Sequence, residues 1–145
     1  MRRASHAARA TRGTERRAWA RTLAWVALGV FAAVFVAIIV IANRGEGARW
    51  WGFLETIPYG DKLGHFGLLG TFSLLLNLAL RGRRLARVVP WVMLGSVLLA
   101  VAITAEECSQ AFLASRTFDL ADLAANFVGI AAGEVVVRWI LRRRG

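Results

Sequence analysis

Residues 22–42, TLAWVALGVFAAVFVAIIVIA, contain no charged side chain. No soluble fold readily hides a helix that is apolar on every face, and about 20 such residues cross a bilayer core of roughly 30 Å. A secretory h-region is shorter, about 7–15 residues, and ends at a small-residue cleavage site, which the following IANRGEG does not supply. The segment reads as a transmembrane helix. Further apolar runs follow, and the charges cluster between them. The expected architecture is all-α: a polytopic four-transmembrane-helix bundle with helices at about 22–42, 60–80, 88–110 and 120–141. Pro90 is tolerable in the first turn of the third helix. Residues 1–18 form an Arg-rich N-terminus expected to be disordered, and 19–145 form one membrane domain.

Charge asymmetry gives the orientation. Arg2, Arg3, Arg9, Arg12, Arg16, Arg17 and Arg21 precede the first helix; Arg81, Arg83, Arg84 and Arg87 lie between the second and third; Arg138, Arg142, Arg143 and Arg144 end the fourth. Only Arg44, Arg49, Lys62 and Arg116 fall on the other side. The positive-inside rule therefore puts both termini in the cytoplasm, in a multi-pass protein of the plasma membrane. The net charge of +10 is absorbed by this orientation and by attraction to anionic membrane lipids, so nucleic acid is not an expected partner. The lone Cys108 excludes an intrachain disulfide.

With helices placed, the polar residues acquire depths. Asp61, Lys62 and His65 lie within about 6 Å of the outer end of the second helix. Glu106, Glu107 and Gln110 lie at the outer end of the third, Arg116 and Asp119 in the outer connection, and Asp122 and Asn126 at the start of the fourth. Three segments thus deliver ionisable groups to one outer layer. Asp61/His65 and Asp122/Asn126 are i,i+4 pairs and Glu107/Gln110 an i,i+3 pair, so each pair shares a helix face. Charges facing lipid are costly, and these are expected to face the bundle interior or a wet cavity. Gly60, Gly64 and Gly67 on one helix, and Gly129 and Gly133 on another, are expected to permit close packing, bringing His65 toward Asp122 and Asn126. The same faces would serve a homo-oligomer as readily as a monomer core. Glu134 lies toward the cytoplasmic half, where a snorkelling pair with Arg138 is expected in preference to a buried proton-carrying carboxylate.

At these residues the chain resembles the VanZ-like family of bacterial membrane proteins. The likeness rests on DKLGHF (61–66), EECSQ (106–110) and RTFDLADLAANFVG (116–129), in the family's order and spacing. It implies the membrane architecture and an envelope setting; the founding member is associated with resistance to the glycopeptide teicoplanin. It carries over no catalytic residue.

Three functional readings remain open. The polar layer is a binding site for a lipid headgroup, a cell-wall precursor or a glycopeptide; or it is an intramembrane enzyme site using Asp61, His65 or Glu107 on an envelope lipid; or it only locks the helices together. Against catalysis, Ser109 and Cys108 lack an adjacent base, and one histidine among carboxylates fits no standard zinc signature, so no metal and no cofactor are expected. A proton-coupled carrier would place carboxylates across the midplane, whereas these gather at one interface. Asp119 and Asp122 also suit helix capping.

Overall fold

The computed structural model describes residues 2–85, 89–110, 112 and 118–143. In chain order these form α1 (Arg2–Asn43), α2 (Gly47–Trp51), a 3-10 turn (Gly52–Thr56), α3 (Gly60–Ala79), β1 (Arg84–Leu85), β2 (Val89–Met93), α4 (Leu94–Gln110) and α5 (Leu120–Arg142).

Helix α1 continues back to Arg2, well before the expected start near residue 22 and through the segment expected to be disordered. Ala and Arg are among the strongest helix formers and dominate that stretch, so local propensity favours a helix even without an apolar face. The helix stops at Gly45, whose φ is 76°. There the Gly45 N–H donates to Ala42 O at 2.9 Å and the Glu46 N–H to Ile41 O at 3.1 Å. This is a Schellman arrangement, in which a left-handed residue satisfies the last free carbonyls. Helix α3 ends in the same way: Arg81 (φ 56°) donates to Leu78 O at 3.0 Å and Gly82 (φ 65°) to Asn77 O at 2.8 Å.

The expected helix over 88–110 starts later. Residues 89–93 are extended, pairing with β1 as an antiparallel hairpin, and the Leu94 N–H donates to Arg83 O at 2.7 Å. The reason is local. Pro90 disfavours helical geometry at Val89, and β-branched Val89 and Val92 suit a strand. Helix α4 is consequently 17 residues long.

Helix α3 packs principally on α5, α4 lies against both, and α1 touches the bundle through α3. The α3–α5 contact is backbone-close. A Cβ on Gly129 would lie 2.4 Å from Phe66 O, and one on Gly133 would lie 2.3 Å from Gly70 O. Gly70 supplies the α3 side of this contact. Of the glycines expected to do so, Gly67 meets nothing within 4 Å, Gly64 only touches Leu54 Cδ1, and Gly60 packs on the Leu54 carbonyl of the preceding turn. Gly60 and Gly64 precede the contact, whereas Gly67 lies within its span, between Phe66 and Gly70, but on another side of α3. Further along α3 and α5 from their N-terminal ends, Leu69, Leu99, Ile103 and Ile130 form the buried core, flanked by Phe35, Phe72 and Leu76. Phe31 and Phe35 of α1 meet the Phe72 ring edge-to-face at 5.6 and 5.2 Å.

The outer surface of the bundle is apolar. Leu23, Val26, Val30 and Val34 on α1, Leu98 and Val101 on α4, and Val128 and Val135 on α5 are all exposed. In water, so much continuous apolar surface would be strongly unfavourable; against acyl chains it is the stable outside. Ala18–Asn43 and Leu120–Arg142 are long and apolar enough to cross a membrane by length and composition. Helix α3 opens on charged residues and α4 is shorter, so neither announces itself in this way.

Candidate functional site

The site is built where the N-terminal ends of α3 and α5 meet the C-terminal end of α4. Asp119 caps α5: its backbone is extended, and its Oδ1 accepts the Ala121 N–H at 2.7 Å. Its own N–H donates to Glu107 Oε1 at 3.0 Å, which ties the end of α4 to the start of α5. Glu107 is 1% exposed, so this bond compensates a carboxylate otherwise expensive to bury. Gln110, also buried, donates from Nε2 to Glu106 Oε2 at 2.9 Å and reaches Glu107 Oε2 at 3.5 Å.

Lys62 is the hub. Its ammonium lies 2.9 Å from Asp61 Oδ2, 2.7 Å from Asp119 Oδ2 and 2.5 Å from Asp122 Oδ1. An ammonium has three protons, and here each faces a carboxylate, so Lys62 has no donor left over. The carboxylates come from α3, from the connection and from α5, so one cation joins three pieces of chain. The Lys62 ammonium, followed by the Ala121 N–H, holds the Asp119 carboxyl below its ordinary value.

One turn deeper, His65 stands between Asn126 and Asp122. Its Nδ1 is 3.1 Å from Asn126 Oδ1 and its Nε2 is 3.5 Å from Asp122 Oδ2. Both ring nitrogens thus face an oxygen acceptor, Nδ1 the Asn126 side-chain carbonyl and Nε2 the Asp122 carboxylate. The expected approach of His65 to Asp122 and Asn126 is therefore present. Asp61 is instead turned outward onto Lys62 and does not pair with His65. Asn126 is fully buried, and its Nδ2 has no partner among the described residues.

Among the expected site residues, Asp61, Lys62, His65, Asp119, Asp122 and Asn126 form one connected group. Glu106, Glu107 and Gln110 form a second, joined to it through the Asp119 backbone. Arg116 lies outside the described residues. Cys108 is exposed on α4. Lys62 occupies the place between three aspartates where a cation would sit. No group of three or more His, Cys, Asp and Glu among the described residues is arranged to hold a metal ion. Two shallow grooves, along Ala18–Val26 of α1 and Ala100–Cys108 of α4, do not touch the cluster.

A second polar network, not anticipated as such, lies deeper in the bundle. Asn77 Nδ2 donates to Ser96 Oγ at 2.9 Å and to Ser73 Oγ at 3.2 Å, and Ser73 Oγ donates to Ile130 O at 2.8 Å. Ser96 and the Met93 backbone also border the Glu134 carboxylate. Glu134 does pair with Arg138, whose Nε lies 2.9 Å away, and Arg138 also bonds the Trp91 carbonyl of β2. Yet Glu134 is 6% exposed, buried against α4 and not snorkelling. Close α3–α5–α4 packing encloses it and leaves only Arg138 to reach outward. The i,i+4 spacing of His65, Leu69, Ser73 and Asn77 was the available sequence signal, but small polar residues inside apolar helices usually read as packing.

Neither the curated proteins nor the solved structures yield a match to this chain. The sequence profile of the VanZ/LLP1 family matches residues 6–142, nearly the whole chain. The three polar blocks lie within that range, and the apolar exterior agrees with it: this is a membrane protein, and it belongs to the VanZ/LLP1 family.

Proposed function

We propose that this chain is a four-span protein of the bacterial plasma membrane, both termini cytoplasmic, whose outer polar cluster binds an envelope molecule. The candidates are a phospholipid headgroup, a lipid-linked cell-wall precursor or a lipophilic glycopeptide of the teicoplanin type. The charge pattern supports the orientation: arginines flank the inner ends of α1, α3 and α5, and the carboxylates gather at the opposite ends. The single observation carrying the binding reading is Lys62 held among three carboxylates and partly exposed, a position that the proposed orientation puts at headgroup depth. A ligand anion reaches this ammonium by displacing Asp61, its most exposed partner, while ligand amines and hydroxyls find the freed carboxylates.

Native mass spectrometry of protein extracted with its membrane tests this. The wild type is expected to retain a phosphate-bearing envelope lipid that Asp122→Asn and Lys62→Met lose. Equal lipid retention in all three would remove the reading.

An intramembrane enzyme is the second reading, and one contact favours it: the His65–Asp122 pair has the parts of an acid–base dyad. Its base would be His65 oriented by Asp122, in place of Asp61–His65. Turnover of a radiolabelled envelope lipid that His65→Gln abolishes, with binding intact, would favour catalysis over binding alone. If neither binding nor turnover responds to these changes, the cluster serves only to lock α3, α4 and α5.

A further inference from the structure

The two polar networks lie on the same seam. On α3 the i,i+4 row runs His65, Leu69, Ser73, Asn77; on the facing side of α5 it runs Asp122, Asn126, Ile130, Glu134, Arg138. Each row is polar or ionisable except at one position. Those two positions, Leu69 and Ile130, belong to the same buried cluster, closed from the α4 side by Leu99 and Ile103. By the helical rise, about 6 Å separates this layer from the polar residues on either side.

Both polar compartments hold a buried amide atom with no partner among the described residues. Above the layer it is Asn126 Nδ2; below it is Asn77 Oδ1, which faces Gly95 of α4 next to the Ser96 that borders Glu134, and both residues are 0% exposed. A buried polar atom left without a partner is unfavourable, so each of these amides favours a water beside it. Ser73, directly beneath, reaches up to the carbonyl of Ile130 itself. A purely structural pair of networks has no need to align on one face, share one interruption and end at an ionisable group on each side.

We infer that the α3–α5 seam is a proton path held closed by a single apolar layer, Leu69 with Ile130. The outer terminus is the His65–Asp122 pair and the inner terminus is Glu134. A narrow apolar constriction excludes water and so blocks proton passage even between polar compartments. Once water bridges the layer, a proton delivered from the His65–Asp122 side passes along it to the Glu134 carboxylate. Glu134 then releases that proton to the inner side and returns to its anionic pairing with Arg138. No bond other than O–H and N–H is made or broken, and no co-reactant is consumed.

The test is proton flux into vesicles of the full-length protein, read with an entrapped pH dye under an imposed gradient with potassium and valinomycin. Wild-type vesicles are expected to match protein-free ones. Leu69→Ser is expected to raise the flux several-fold, and Glu134→Gln in that background to return it toward the wild-type level. Ile130→Thr, which keeps the branched shape, provides a second opening should Leu69→Ser fail to fold. Two results would overturn the inference: no added flux from either substitution in folded protein, or added flux that Glu134→Gln leaves unchanged.

Discussion

Lys62 Nζ lies 2.5 Å from Asp122 Oδ1, across the crossing of α3 and α5 and 60 residues apart in sequence. The same ammonium holds Asp61 and Asp119, so Lys62 fixes both the register of the two helices and the approach of the connection before α5. Removing it leaves three carboxylates facing one another.

Lys62→Met is therefore expected to destabilise the bundle by about 1–3 kcal/mol, the cost of uncompensated polar groups in a partly open site. Lys62→Met/Asp122→Asn is expected to recover part of that loss, because one of the repelling charges goes with its partner. Thermal unfolding in detergent, followed by circular dichroism, reads both. Equal midpoints for wild type and Lys62→Met would mean that the ion pairs do not hold the helices.

The glycine contacts give a sharper contrast. Gly133→Ala forces a methyl against the Gly70 carbonyl and the Ser73 side chain, and is expected to cost about 1–3 kcal/mol through overpacking. Gly67→Ala adds its methyl in open space and is expected to be neutral or to stabilise by up to about 1 kcal/mol, the helix propensity difference. The same unfolding assay separates them, and a larger loss at Gly67 than at Gly133 would contradict the packing described.

Acid sensitivity follows from Asp119. Its folded-state carboxyl titrates below the unfolded value of about 3.9 because of Lys62 and the Ala121 N–H. A depressed carboxylate contributes its stability in full above the unfolded pKa and loses it as pH falls through the folded one. The difference between wild type and Asp119→Asn is thus expected to be constant from neutral pH to about 5 and to shrink only below about 4. A difference that already fades between pH 7 and 5 would assign the effect to another group.

Cys108 is a built-in reporter of topology. It is exposed near the C-terminal end of α4, which the proposed orientation puts outside, and is the only cysteine in the chain. A membrane-impermeant maleimide is expected to label it in intact cells, or in spheroplasts where an outer membrane intervenes. Labelling only after the plasma membrane is permeabilised would invert the proposed orientation.

Much of this was legible in the sequence, for identifiable reasons. The expected ranges 60–80 and 120–141 meet α3 and α5 within a residue, because Pro58 and Asp119 mark their starts and runs of arginine follow their ends. The meeting of Lys62, His65, Asp119, Asp122 and Asn126 was legible because i,i+4 spacing and position along each helix together limit which polar residues can meet. The start of α4 was not: an apolar run reads alike as strand or helix, and Pro90 suits a helix's first turn as well as the extended 89–93 that it helps to form. Gly70 was missed because the glycine nearest the crossing depends on where the helices cross, which no single-helix pattern states. Ser73, Asn77 and Ser96 were missed because their partners lie on other helices.

The most direct test of the binding claim is glycopeptide susceptibility. A sensitive host would express wild type, Asp122→Asn or Glu107→Gln at matched membrane levels, with the minimum inhibitory concentration of a teicoplanin-type drug as the readout. The expected result is protection by the wild type alone, because Asp122 anchors Lys62 and Glu107 anchors the connection to α5. Equal susceptibility in all three strains and in the empty-vector control would contradict a role for this cluster in acting on the drug or its cell-surface target.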